Sequence, residues 1–154
     1  MHQPKSRTEP LPNLLWERPG FLVRRLHQIH SAMFLEACRA FGVTPLQYSL
    51  LSILRAQPGL DQSGIGEELG LDRSNAFDVV QRLKRAGLIS LVSDVKDKRR
   101  KKTILTTKGA SLLAKLDPPA LKAHEELLSS LSARDRALLM KLLRRVLSDV
   151  NHLG

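Results

Sequence analysis

The chain has 154 residues, the length of one domain, and its 42% apolar and 26% charged residues suit a packed core rather than wholesale disorder. No apolar run approaches the roughly 20 residues of a membrane helix and no signal-peptide core opens the chain, while the one cysteine, Cys38, excludes an internal disulfide and zinc sites built on cysteine pairs. Aromatics at 4% are too few for a stacking platform on single strands, so a soluble, cytoplasmic, mostly helical protein is expected, whose net charge of +10 invites a polyanionic partner.

Residues 1–19 contain Pro4, Pro10, Pro12 and Pro19 without periodicity and read as an N-terminal arm, with Leu14, Leu15 and Trp16 packing at its end. Leu22, Leu26, Ile29 and Met33 recur at helical steps and predict a helix from about Phe21 to Phe41, closed by Gly42. Thr44 and Pro45 supply a capping hydroxyl and a first-turn proline for a second helix through Leu46, Leu50, Ile53 and Leu54 to about Gln57. Asp61 caps a short helix with Ile65 and Leu69 inward, where Gly66 is explained by close approach of a neighbouring helix. Gly70 closes it, and after a tight turn Asp72 caps a helix from Arg73 to Ala86.

Beyond Gly87 the period changes. Ile89, Leu91 and Val92 precede a run of mostly charged residues, and Thr103, Ile104 and Leu105 follow it, which predicts two short antiparallel strands around an exposed loop. Thr106 or Thr107 then caps a helix through Leu112, Leu113 and Leu116, expected to be interrupted at Pro118–Pro119 and to resume to about Leu128. Ser132 to Asp135 resembles a capping box ahead of a terminal helix carrying Leu139, Leu142, Leu143, Val146, Val150 and Leu153.

The positive charge lies in one place. Residues 73–102 hold ten Lys and Arg against three Asp and Glu, whereas residues 1–72 hold seven of each and residues 103–154 eight against five. On a helical wheel Ala76, Val79, Val80 and Leu83 share one inward sector of the Arg73–Ala86 helix. Ser74, Asp78, Gln81 and Arg85 lie opposite, flanked by Phe77 on one side and by Asn75 and Arg82 on the other. A short helix, a tight turn and such a second helix form a helix-turn-helix, whose second helix suits the major groove of DNA. Arg82, Lys84 and Arg85 are followed by a hairpin carrying Lys96, Lys98, Arg99, Arg100, Lys101 and Lys102, a β-wing able to reach phosphates or the adjacent minor groove. The fold class expected is mainly α with a small β-hairpin wing. The competing readings are an architectural, non-specific DNA-binding protein without effector and a basic RNA-binding module, and the scarcity of stacking aromatics counts against the second.

The sequence resembles the MarR family of transcriptional regulators. The likeness is carried by Leu69-Gly70-Leu71-Asp72-Arg73-Ser74, by Leu83-Lys84-Arg85-Ala86-Gly87-Leu88-Ile89, and by Asp97-Lys98-Arg99 followed by Leu105-Thr106 and Gly109. It spans about residues 20–153. It implies a homodimer in which the first and last helices interlace, with residues 20–42 and 107–154 as the dimerisation region and 43–106 as the winged helix. By that likeness Asp97 braces the wing, Arg99 enters the minor groove, and Arg73 to Asn75 meet the major groove or its phosphates. The segment from Arg18 to Gln28 looks like the branch that controls breakdown of aromatic acids, including nicotinate. The Gly64/Gly66 pair departs from the Ala-rich usage of the family.

An apolar terminal helix and a similarly apolar first helix, at opposite ends of an otherwise complete domain, also point to a two-fold dimer and a pseudo-palindromic operator. An effector pocket belongs between the helical base and the winged helix. Its candidate walls are Trp16, Arg18, Arg25, His27, His30 and Tyr48, where arginine pairs a carboxylate and an aromatic ring stacks on a small aromatic carboxylate effector. His27 and His30 lack a completed metal-ligand set, Cys38 reads as a small buried hydrophobe, and no catalytic motif is present. No cofactor, metal or membrane partner is expected, and the chain is read as a non-enzyme.

Overall fold

The structure, a computed structural model, describes residues 14–150; Pro4, Pro10, Pro12 and Leu153 lie outside the described residues. Among the described residues, six α-helices and one hairpin follow in chain order. They are α1 (Pro19–Ala37), α2 (Pro45–Ala56), α3 (Gln62–Leu69), α4 (Arg73–Arg85), β1 (Ile89–Ser93), β2 (Lys101–Leu105), α5 (Thr107–Leu127) and α6 (Ala133–Val150), with short 3-10 turns at Leu14–Glu17 and Arg39–Phe41.

The caps read from the sequence are in place. Thr44 Oγ1 accepts from the Gln47 amide at 3.2 Å while Gln47 Oε1 accepts from the Thr44 amide at 3.0 Å, a complete capping box. Asp61 caps α3 through the Gly64 amide, Asp72 caps α4 through the Asn75 amide, and Thr106 caps α5 through the Gly109 amide. Gly70, at φ 63°, makes the left-handed turn between α3 and α4 that a side chain would oppose. Ser132 accepts from the Asp135 amide at 3.1 Å and donates to the Asp135 carboxylate at 2.7 Å, ahead of α6.

Two expectations are corrected. Helix α1 begins at Pro19, inside the segment read as an arm, and ends at Ala37 rather than near Phe41. Cys38 leaves helical geometry there, and the following turn brings Val43 into the same cluster as Phe34 and Cys38; a straight continuation would carry Val43 to another face. Second, Pro118 and Pro119 do not interrupt α5. Each removes an amide donor and crowds the preceding turn, but Leu113, Leu116, Ala120 and Ala123 are all buried along that helix and hold it in line. Leu22 and Ile29 of the apolar α1 stripe are exposed, and Phe34 is the buried side chain of that helix.

Two apolar clusters carry the fold. One joins Leu50, Leu51, Leu54, Ile65, Val79, Val80, Leu83, Leu88, Ile89 and Leu113 beneath the helix-turn-helix and the hairpin. The other joins Phe34, Cys38, Val43, Leu116 and Ala120 between α1 and α5. Tyr48 and Leu112 pack against both, so the winged helix and its helical base are continuous. The strands pair antiparallel in the register Ile89 with Leu105 through Ser93 with Lys101. Leu60 adds a one-residue bridge to the buried Thr103, a contact of the sheet that no local pattern announces. By contrast, no side chain among residues 133–149 is buried.

Candidate nucleic-acid interface

The inward sector of α4 is the one the wheel assigns: Ala76, Val79, Val80 and Leu83 are 1–5% exposed. Gly66 of α3 permits this packing, since a methyl group there would lie 3.6 Å from the Ala76 Cβ and 3.1 Å from the Leu71 carbonyl oxygen. With its apolar edge sunk, α4 presents Arg73, Ser74, Asn75, Phe77, Asp78, Arg82 and Arg85 to solvent, while Gln81 is only half-exposed. Phe77 is 49% exposed although its neighbours on that face are polar. The Asn75 side chain is not loose: its Nδ2 donates to Asp72 Oδ2 at 2.7 Å while its amide donates to Oδ1. Asn75, Asp78 and Arg82 form one stripe of α4, and they share a hollow with Thr44, Leu46 and Gln47 at the start of α2 and with Leu71. The sequence did not mark the start of α2 as part of this surface, because only the fold of the chain sets it beside α4.

Helix α4 passes into β1 through Ala86 and Gly87, so the hairpin is attached directly to its end. Lys108 Nζ donates to the Ala86 carbonyl at 2.8 Å and Thr106 Oγ1 to the Gly87 carbonyl at 2.7 Å, fixing that junction. The wing loop from Val95 to Arg100 is exposed throughout. Two aspartates shape it. Asp97 Oδ1 accepts from the Arg99 amide at 3.0 Å and its carbonyl accepts from the Arg100 amide at 3.0 Å, placing Asp97 inside the turn. Asp94 Oδ1 accepts from the Lys96 amide at 2.8 Å and its Oδ2 pairs with Lys102 Nζ at 2.8 Å. Lys102 first and the Lys96 amide second hold the Asp94 carboxyl below the usual carboxylate range.

The wing cations therefore divide. Lys102 is paired with Asp94, Lys101 Nζ donates to the Ser93 hydroxyl at 2.7 Å, and Arg100 is paired with Asp61 across to α3 at 2.5 Å. Lys98 and Arg99 project from the outer turn. Asp61 and Asp94 are partners that residue spacing did not reveal, since Arg100 and Asp61 are far apart in sequence.

The effector candidates fall into two groups. Trp16 meets Phe21 edge-on at 5.3 Å, Arg18 is the N-cap of α1, and Arg25 Nη1 donates to Gln28 Oε1 at 3.4 Å. His30 and Tyr48 are both linked to Phe34, at ring distances of 6.2 and 5.4 Å. The Tyr48 hydroxyl donates to Asp117 Oδ1 at 3.0 Å, and Arg55 pairs with the same carboxylate. Burial first and the Asp117 bond second push the Tyr48 hydroxyl up. Cys38 is 1% exposed and burial raises its thiol, so it is a packed hydrophobe rather than a thiolate. Among the described residues no group of three or more His, Cys, Asp or Glu could hold a metal ion.

A helix-turn-helix with a polar outer face, joined without a linker to an exposed basic hairpin, defines a winged helix-turn-helix DNA-binding protein. The profile of the MarR family matches residues 41–100, and the transcriptional repressor NicR of Pseudomonas putida is 30% identical over 138 residues, covering 90% of this chain and 87% of that one. The chain belongs to the MarR family and is a transcriptional regulator. Among solved structures it is similar to the PcaV transcriptional regulator of Streptomyces coelicolor in complex with its natural ligand, at 36% identity, TM-score 0.77, and coverage of 91% of this chain and 98% of that one. It is also similar to the transcriptional repressor CouR bound to a 23-mer DNA duplex, at 30% identity, TM-score 0.80, and coverage of 90% and 99%.

Proposed function

We propose that the protein is a ligand-responsive repressor that binds a pseudo-palindromic operator as a homodimer. The observation that carries this reading is the exposed polar face of α4 leading directly into an exposed basic wing. Arg73, Ser74, Asn75, Phe77, Asp78, Gln81, Arg82 and Arg85 meet the major groove and its phosphates, with the free amides at the start of α4 favouring a phosphate there. Arg99 meets the adjacent minor groove, where arginine is favoured, Lys98 meets the phosphates beside it, and Lys101 adds charge behind them. Asp97 keeps the turn that presents Arg99. CouR, solved on a DNA duplex, supports the DNA-reading part, and NicR, a repressor, supports the direction of control.

Residues 43–106 form the reading head, and α1, α5 and α6 the dimer base. Support for the dimer comes from apolar side chains that this chain leaves uncovered, Leu22, Val23 and Ile29 on α1 and Leu138, Leu142 and Val146 on α6, all at least 43% exposed. A partner subunit would remove that surface from water. The effector is a small aromatic carboxylate, read by His30 and Tyr48 with Arg25 and His27 of α1, its N-cap Arg18, and Trp16. PcaV, solved with its ligand, supports ligand control. The reading includes no catalytic step, and it places the protein in the cytoplasm, where promoters are; no described helix is long and apolar enough to cross a membrane.

The test is selection of bound fragments from random duplex DNA, followed by affinity for the selected duplex against a random one at fixed salt. A ratio of about 10³ or more, on a motif with two-fold symmetry, is expected. Equal affinities would make the protein architectural, and preference for structured RNA in competition would make it an RNA-binding module.

A further inference from the structure

The carboxylate of Asp61 has two partners. Its Oδ1 accepts from the Gly64 amide at 3.0 Å and caps α3, while its Oδ2 holds Arg100 Nη2 at 2.5 Å. Arg100 is the last residue of the wing loop before β2, and its backbone is engaged as well: its amide donates to the Asp97 carbonyl and its carbonyl accepts from the Asp94 amide, both at 3.0 Å. The side chain therefore leaves a fixed turn and reaches the first helix of the helix-turn-helix.

Below it, the wing is tied to the same segment by backbone alone. The Gly59 amide donates to the Thr103 carbonyl at 3.0 Å and the Thr103 amide to the Leu60 carbonyl at 2.8 Å. That tie grips the hairpin at the middle of β2 and makes no contact with the loop beyond it. The Arg100 pair fastens the loop end and is largely open to solvent, with 65% of the Arg100 side chain exposed.

We propose that Arg100 is a positioning residue of the wing and not a DNA contact: its ion pair with Asp61 sets the angle between wing and helix-turn-helix so that Arg99 and α4 engage one duplex together. The proposal rests on the DNA-reading assignment above. A cation that neutralises a phosphate releases counterions and steepens the salt dependence of binding. A cation already neutralised by Asp61 does not. Asp61 and Arg100 should then behave as one unit, since removing either releases the same loop.

Four variants test this, Asp61→Asn, Arg100→Ala, Arg100→Lys and the double substitution of the first two, measured on the selected duplex across a salt series. Asn keeps an oxygen to cap α3 and removes the charge, so α3 is retained. Asp61→Asn and Arg100→Ala are each expected to bind about fivefold more weakly, as an exposed ion pair allows, and Arg100→Ala to do so with an unchanged salt slope. The double variant should be no worse than either single one, and Arg100→Lys should recover most of the loss. Without DNA, Asp61→Asn should speed tryptic cleavage after residues 96–102, all of whose basic sites it preserves. The proposal is overturned by a salt slope lowered by about one in Arg100→Ala, by tighter binding of Asp61→Asn, or by unchanged cleavage. If the wild-type chain fails to discriminate its selected duplex from random DNA, the DNA-reading assignment fails instead, and the cleavage result still decides the clamp.

Discussion

The imidazoles of His30 on α1 and His124 on α5 stack with centroids 4.6 Å apart and planes 17° from parallel. The His30 Nε2 is buried there without a hydrogen-bond partner. Burial, then His124, then His27 push the His30 pKa below its ordinary value of 6.5. The unfolded chain thus binds the proton more readily than the folded one, so stability is full above about pH 6.5 and falls as pH drops toward the folded-state value. Melting temperature should be level above about pH 7.5 and decline as the pH falls below about 6.5. His30→Gln should flatten that decline. The carboxyls of Asp61, Asp94 and Asp117 are held low by Arg100, Lys102 and Arg55 respectively and act only below about pH 4, a separate window.

Gly109 sits where α5 passes the backbone after α4. A methyl group at this position would lie 2.0 Å from the Leu88 carbonyl oxygen and 2.9 Å from its carbon. Neither atom belongs to a flexible side chain, so Gly109→Ala must separate α5 from the root of the wing. A loss of about 3 kcal/mol in denaturant unfolding is expected, with weakened DNA binding at temperatures where the variant remains folded.

Arg99 and Lys98 adjoin in the exposed wing loop, and the proposed reading gives them different roles. Arg99→Ala should cost about 1–3 kcal/mol on the selected duplex and relax preference at the minor-groove positions. Lys98→Ala should weaken selected and random duplexes alike and lower the salt slope by about one. Gel-retardation titrations at several salt concentrations separate the two.

Phe77 is an apolar ring on an otherwise polar reading face, and the major groove offers one apolar group, the thymine methyl. Phe77→Ala should cost about 1 kcal/mol on the selected duplex. Replacing the contacted thymine by uracil should cost the wild-type chain the same and the variant nothing further.

Leu142 and Val146 stand on one side of α6, 48% and 59% exposed. Sedimentation equilibrium of the wild-type chain should give twice the 17.2 kDa of one chain. Leu142→Glu with Val146→Glu should give the single-chain mass and lose operator affinity, because two reading heads would no longer be held together.

Local chemistry made much of this protein legible in advance. Thr44, Asp61, Asp72 and Thr106 are caps by residue type and position, and the change from helical to alternating period at Ile89 marks the wing. The inward sector of α4 follows from 3.6-residue spacing alone. What such rules report is the preference of a short segment. They misread Pro118 and Pro119 because burial of Leu116 and Ala120 outweighs a local helix-breaking tendency, and burial is settled by other parts of the chain. They missed the turn at Cys38 for the same reason.

Residue order alone established that a groove-sized helix is followed by a basic hairpin, because caps, periodicity and charge runs act over a few residues. Only the tertiary structure decided which of those cations face outward and which are spent on partners. Asp61 meets Arg100 from 39 residues away, and the start of α2 comes to lie beside Asn75, Asp78 and Arg82. Ion pairing depends on distance in space, which the packing of α2, α3 and the hairpin sets, and no local pattern encodes it.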